Sequence, residues 1–489
     1  MRKAMFLVAT ALATQSLWLC ASTTLAKTTQ VTITSKSPAA IAAFEEARDL
    51  LDNVRIPEGA AGMKKAIELD GDFALAHAYL GSVTPGSEGL KELEKASQLG
   101  SKLPEPEKVE IQALLAGTRG EELKSRTAWE KLAQLAPGDW HVHFTLGGVY
   151  SGERKWDQAA AELKRATDLN PKAGAAYNSL GYVYLVQDKN EEAIAAFKKY
   201  SEVLPKEPNP YDSLAEAQMA ASRLVDAEAS FLKAFAVSPE FYFALQGVAQ
   251  TRFLRNDWNG GKEALDKAQG AATRAVDRLG LEFNRAWSLA AAGRLEDAMK
   301  TLDALDEAAK AAHEEATYVF VPIVRAKMMV DAGKYDAAIA AATQGIERGT
   351  KPGLPGGTVN GARRAGLTNR MLAEARSGKL DAAAKTLAQL EAEAKATPTN
   401  AGLASNVQLG RGELALAHGD AKTAAGALSG CVAQDTYAQW RLTAAREKAG
   451  DKEGAQQIRN KVLRTNRRDG EYLYVRAQMA DGQPVSQQE

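Results

Sequence analysis

The 489-residue chain carries 61 basic and 61 acidic residues, 45% hydrophobic residues and only 7% aromatic ones. This balance excludes a dedicated nucleic-acid binder, which needs a concentrated basic surface to release counterions from phosphates. Helix formers such as Ala, Leu, Glu and Lys dominate and strand-forming runs are nearly absent, so the chain is expected to be helical throughout.

In chain order, the first element reads as an export signal. Arg2 and Lys3 precede an uncharged, mostly apolar run from Ala4 to Cys20, and small residues lead to Ala26. A charged start, an apolar middle and a small-residue end predict a cleaved signal peptide over 1–26, with an uncleaved membrane anchor as the alternative. Trp18 and Leu19 are too bulky for lipid attachment at Cys20. Cleavage removes two basic residues and no acidic one, leaving 59 against 61 and a net charge of −2. It also leaves Cys431 as the only thiol, so no internal disulfide is expected. Beyond Cys20 no apolar stretch is long enough to span a bilayer.

Residues 27–37 are expected to be an extended linker and 38–136 a set of divergent helical units. Ala39 to Asn53 and Glu58 to Leu69 read as one helical pair, and Phe73 to Leu80 begins another. Breaks follow at Thr84-Pro85-Gly86 and Leu103-Pro104-Glu105-Pro106.

From 137 to 273 the pattern becomes periodic. Pro137, Pro171, Pro205 and Pro239 are each 34 residues apart. The same step relates Leu146-Gly147, Leu180-Gly181, Leu214-Ala215 and Val248-Ala249. It also relates Ala159, Ala193, Ala227 and Gly261, and again Leu163, Phe197, Phe231 and Leu265. In these registers the chain resembles the tetratricopeptide repeat (TPR) family, whose period is 34 residues. Small residues are expected where paired helices cross, large apolar ones between pairs, and proline where a unit closes.

After 273 the period loosens. A turn signature recurs at Gly293 to Ala298, Gly333 to Ala338, Gly378 to Ala383, Gly419 to Ala424 and Gly450 to Ala455. Glycine there suits a left-handed helix end. Residues 274–348 and 367–478 are read as further TPR-like units, with a flexible loop over 349–366 and a disordered tail over 479–489. Lys351-Pro352-Gly353-Leu354-Pro355-Gly356-Gly357 is expected to be non-helical. The whole is expected to be an all-α solenoid, a right-handed superhelix of about ten stacked antiparallel helix pairs.

Motifs for chemistry are sparse. The sequence has no phosphate loop, paired-cysteine metal knuckle, haem-attachment motif or zinc-protease helix. His141 and His143, two apart on a helix, face different directions and are not expected to share a metal. Cys431 is expected to be a buried structural thiol. No catalytic residue, cofactor or metal site is assigned.

The resemblance implies that first helices line a concave face. Carried over, that face holds Asn178, Tyr182 and Leu185, then Asn209, Asp212, Glu216 and Met219, then Phe243, Gln246, Gln250 and Phe253. Gly148, Tyr182, Glu216 and Gln250 stand where a carboxylate-clamp member of the family would carry asparagines, so such a clamp is not expected. The implied function is a non-enzymatic scaffold that binds a protein or peptide partner, exported to the periplasm of a bacterium. Secretion, or anchoring by an uncleaved N-terminus, is the alternative placement. Two other functions compete. One is small-ligand or glycan binding through Trp140, Tyr182 and Phe253; the other is an enzyme or envelope-enzyme subunit using Lys351, Arg363 and Arg364.

Overall fold

A computed structural model describes residues 30–397, 400–432 and 435–480. The expected signal peptide, residues 27–29 of the linker and tail residues 481–489 lie outside them. The described residues are all-α, with no strand among them. None of their helices is long and apolar enough to cross a membrane. The chain divides into two compact units. One comprises the described residues up to Tyr150 together with Asp168–Asn170; the other comprises Ser151–Thr167 and the described residues from Pro171 on.

The first unit opens with residues 30–37 in non-helical form. Its helices are α1 (Pro38–Asp52), α2 (Ile56–Leu69), α3 (Ala74–Val83), α4 (Gly86–Leu99), α5 (Glu105–Thr118), α6 (Glu122–Leu135) and the bulk of α7 (Trp140–Gly152). Helices α1 and α2, α3 and α4, and α5 and α6 pack as three pairs, where the sequence suggested one pair and the start of another. Pro85 and Pro104 account for the difference. Both sit immediately before a helix, where a missing N–H costs nothing, so they start helices instead of interrupting them. Ser37 caps α1 by accepting a hydrogen bond from the Ala40 amide. Phe44, Met63, Phe73, Leu75 and Leu93 fill the core, with the Phe44 and Phe73 rings 5.1 Å apart.

Residues 30–37 are tied down by carboxylates. The Val31 amide donates to Asp139 Oδ2 at 3.1 Å, and the Thr34 amide and hydroxyl donate to the two oxygens of Glu107 at 2.8 and 2.6 Å.

The second unit continues through α8 (Trp156–Leu169), whose last two residues group with the first unit, α9 (Gly174–Val186), α10 (Asn190–Val203), α11 (Asn209–Ala220), α12 (Leu224–Val237), α13 (Phe243–Leu254) and α14 (Trp258–Ala271). Longer helices come next: α15 (Ala275–Ala291), α16 (Leu295–Ala311), α17 (Glu315–Asp331), α18 (Tyr335–Gly349), α19 (Gly356–Arg376) and α20 (Leu380–Ala396). The last are α21 (Ala401–Ala417), α22 (Ala421–Ser429), α23 (Thr436–Lys448), α24 (Lys452–Thr465) and α25 (Gly470–Met479). From α9 onward each odd-numbered helix packs on the even-numbered one after it. The small residues stand where close approach demands them: a methyl group added at Gly181 would lie 2.5 Å from the Phe197 ring. Gly293, Gly333, Gly378, Gly419 and Gly450 all have positive φ, the left-handed helix end their turn signature requires.

The interruption expected over 349–366 is shorter than the sequence suggested. Helix α18 ends at Gly349 and α19 begins at Gly356, so only 350–355 is non-helical. Gly356 and Gly357 fall in the first turn after Pro355, and packing secures the rest of the helix. A methyl group on Gly366 would lie 2.5 Å from Ile346, so the glycine seats α19 closely against α18. The unpaired α25 packs on α15, α13 and α23, with the Tyr474 and Trp287 rings 5.6 Å apart.

Candidate functional site: a cleft bounded by the chain's own C-terminal segment

Helices α9, α11 and α13 lie in succession, and their polar side chains link along one face. Tyr182 donates to Glu216 Oε2 at 3.0 Å, and its hydroxyl lies 3.2 Å from Ser213 Oγ. Ser213 in turn donates to Asn178 Oδ1 at 3.3 Å. Asn209 reaches back to the Tyr200 hydroxyl at 3.3 Å.

The segment between α24 and α25 covers part of this face. Arg468 donates through Nη1 to both oxygens of Asp212, at 2.9 and 2.8 Å, and lies 3.5 Å from Glu216 Oε1. Its Nη2 donates to the Phe243 carbonyl at 2.6 Å, and the guanidinium lies 5.1 Å from the Phe231 ring centre. Gln250 donates to the carbonyls of Arg467 and Asp469 at 3.0 and 3.3 Å. Asn466 donates to Ser222 Oγ at 3.0 Å while its own amide donates to the Tyr472 hydroxyl. A carboxylate pair reading an arginine and an amide reading main-chain carbonyls is how a bound peptide would be held, and here the occupant is residues 466–469.

Burial pushes the carboxyl pKa values of Asp212 and Glu216 up, and the Arg468 charge opposes it. Burial, followed by the Glu216 charge, pushes the Tyr182 hydroxyl well above its ordinary value.

Of the residues expected to line an open groove, Asp212 and Gln250 are therefore buried against the chain itself. Phe253 lines a small void together with Gln246, Arg468 and Gly470. It is 5% exposed, stacks near Trp258 at 5.3 Å and packs against Gly261. Its burial removes one of the three aromatics on which the glycan reading drew.

Tyr182 and Glu216 instead reach a larger space. A cleft of about 780 Å³ lies between α9 and α11 on one side and α23 and α24 on the other. Tyr182, Leu185, Val186 and Met219 form one wall; Ile458 and Val462 belong to the other. Val186 is 46% exposed, a large apolar side chain facing water at the mouth. Lys461 and Asp188 approach one another at 3.8 Å across the rim, and Arg464 also lines the space. The sequence named Tyr182, Leu185, Glu216 and Met219 but none of the residues from α23 and α24. Their turn signature marks them as a helical pair; nothing in the spacing says which earlier pair they face.

The residues behind the enzyme alternative do not assemble into acid–base machinery. Arg363 and Arg364 lie in α19 and both pair with Glu393, while Lys351 sits 4.9 Å over the Tyr318 ring. Cys431 is buried, and burial pushes its thiol up to about 11, the environment of an inert thiol.

Residues 144–208 match the tetratricopeptide repeat family model. No curated protein matches the chain. Solved structures similar to parts of it include the MamA protein, at 18% identity over 33% of this chain and 89% of that one, with a TM-score of 0.32. MamA from Desulfovibrio magneticus RS-1 is 16% identical over 34% of this chain and 94% of its own, with a TM-score of 0.32. YrrB, described as a TPR protein with an unusual peptide-binding site, is 15% identical over 45% of this chain and 97% of its own, with a TM-score of 0.31. The family match falls on α7 to α10, and the fold is that of an all-α helix-pair solenoid with tetratricopeptide repeats in that stretch.

Proposed function

We propose that the chain is a non-enzymatic interaction scaffold of the bacterial cell envelope, and that its partner, a protein or peptide, enters the cleft between α9–α11 and α23–α24. The observation that carries this reading is the cleft. Its apolar residues come from helices far apart in sequence, Leu185, Val186 and Met219 on α9 and α11 and Ile458 and Val462 on α24, set among polar side chains, with Val186 exposed. Apolar anchoring within a ring of polar groups is the usual anatomy of a specific interface. The envelope placement rests on the signal-like residues 1–26 alone.

The test is affinity capture from an envelope fraction with residues 27–489 as bait. Val186→Glu and Ile458→Glu place a charge on opposite walls, and each is expected to lower recovery of the same discrete partner at least roughly tenfold, the loss of one central contact. Unchanged recovery with both variants, under matched helical content, would remove the cleft from consideration.

A further inference from the structure

Several polar and charged side chains of the first unit have hydrogen-bonding partners within it. Tyr79 donates to Glu110 at 2.7 Å, His77 contacts Glu92 at 2.5 Å, and Glu107 and Asp139 hold residues 30–37. One corner differs. Asp49 and Asp52 are three apart on α1 and so share a helix face. Opposite them stands His141 from the start of α7, its ring centre 3.7 Å from that of Trp140.

His141 Nε2 lies 3.5 Å from Asp52 Oδ2 and 3.7 Å from Asp49 Oδ1, and the three atoms all fall within 4.8 Å of one another. Both His141 Nε2 and Asp52 Oδ2 are out of contact with water and have no hydrogen-bond partner. The His141 side chain is only 9% exposed. These separations exceed a normal N–H···O bond, so direct pairing does not explain them. A cation at about 2.1 Å from each of two ligands in tetrahedral geometry holds those ligands about 3.4 Å apart, close to the spacing observed.

We propose that Asp49, Asp52 and His141 bind a divalent transition cation of the zinc class, joining the first helix of the unit to its seventh. The imidazole nitrogen argues against calcium and magnesium, which take oxygen ligands. Charge is compatible. Arg48 lies near the site, and so do the Asp139 and Glu110 carboxylates, alongside the two aspartates. Three protein ligands leave a fourth position, and Asp49, whose side chain is 68% exposed, opens it to solvent. The seat is independent of the cleft and requires nothing of the partner proposed above.

The test uses the full chain after chelator treatment, titrated with zinc chloride by calorimetry and followed by thermal melting. One saturable site per chain and a raised Tm are expected, with no shift from calcium or magnesium at the same concentration. Asp49→Asn, at an exposed position that leaves folding intact, and His141→Gln should each weaken binding by roughly tenfold or more. His313→Ala, which removes an exposed histidine elsewhere, should change nothing. Absence of saturable zinc binding would overturn the proposal, as would affinity unchanged in both ligand variants.

Discussion

Arg468 and Asp212, 256 positions apart, are joined by a two-oxygen ion pair, with Nη1 at 2.9 and 2.8 Å from the two carboxylate oxygens and side chains only 16% and 11% exposed. The contact fastens the α24–α25 connection to α11. Removing Arg468 leaves Asp212 buried without its cation, so Arg468→Ala is expected to cost about 3 kcal/mol, and Asp212→Ala less, because Glu216 Oε1 still faces the guanidinium at 3.5 Å. Urea denaturation would measure it, and limited proteolysis at 466–469 should become faster in both variants. Double replacement should cost less than the sum of the singles; strict additivity would show that the two side chains do not depend on each other.

Close packing at Gly181 gives a second prediction. With Phe197 occupying the space a methyl group would need, Gly181→Val is expected to destabilise the second unit by about 1–3 kcal/mol. Shrinking the neighbour by Phe197→Leu should recover part of that loss in the double variant. A melt identical to that of the parent chain would show that the two helices are not in this register.

Acidity should act on the first unit in a definite direction. Burial, opposed by the Tyr79 hydrogen bond and the Arg48 charge, raises the Glu110 carboxyl from 4.5 to about 7. A carboxyl whose folded pKa exceeds its unfolded value binds its proton more tightly when folded. Its contribution is fully present below about 4.5 and declines as pH rises to about 7, by about 3 kcal/mol at most. Glu110→Gln mimics the protonated form and should flatten this decline. Denaturant midpoints measured at pH 5 and pH 8 check it: the variant's should differ far less than the parent's.

How far the chain could be read from its residues alone depended on the range of the physics involved. The 34-residue step from Pro137 to Pro239 reports on neighbours that touch, because each helix pair buries its apolar flank on the next. Gly181 was therefore legible as a crossing residue, and so were the left-handed turns at Gly333 and Gly378, whereas Phe197, expected to fill the space between pairs, instead meets Gly181 within its own pair. Two other local readings went astray for reasons beyond composition. Pro104 begins a helix because its missing N–H falls where no partner is needed, and Gly356 and Gly357 are helical because α19 packs on α18.

The expected groove shows where such reading stops. Tyr182 and Glu216 do face a cleft, and nothing in their own repeats says that Arg468 shields Asp212 from it or that Ile458 and Val462 wall it opposite.

By itself, then, the sequence determined a helical chain, its pairing period and its turns, because these arise from contacts between adjacent residues and adjacent units. Only the tertiary structure brought Asp49 and Asp52 to His141, and Arg468 to Asp212. The position of a distant helix is the accumulated result of many small rotations between units, and no single spacing in the chain records that sum.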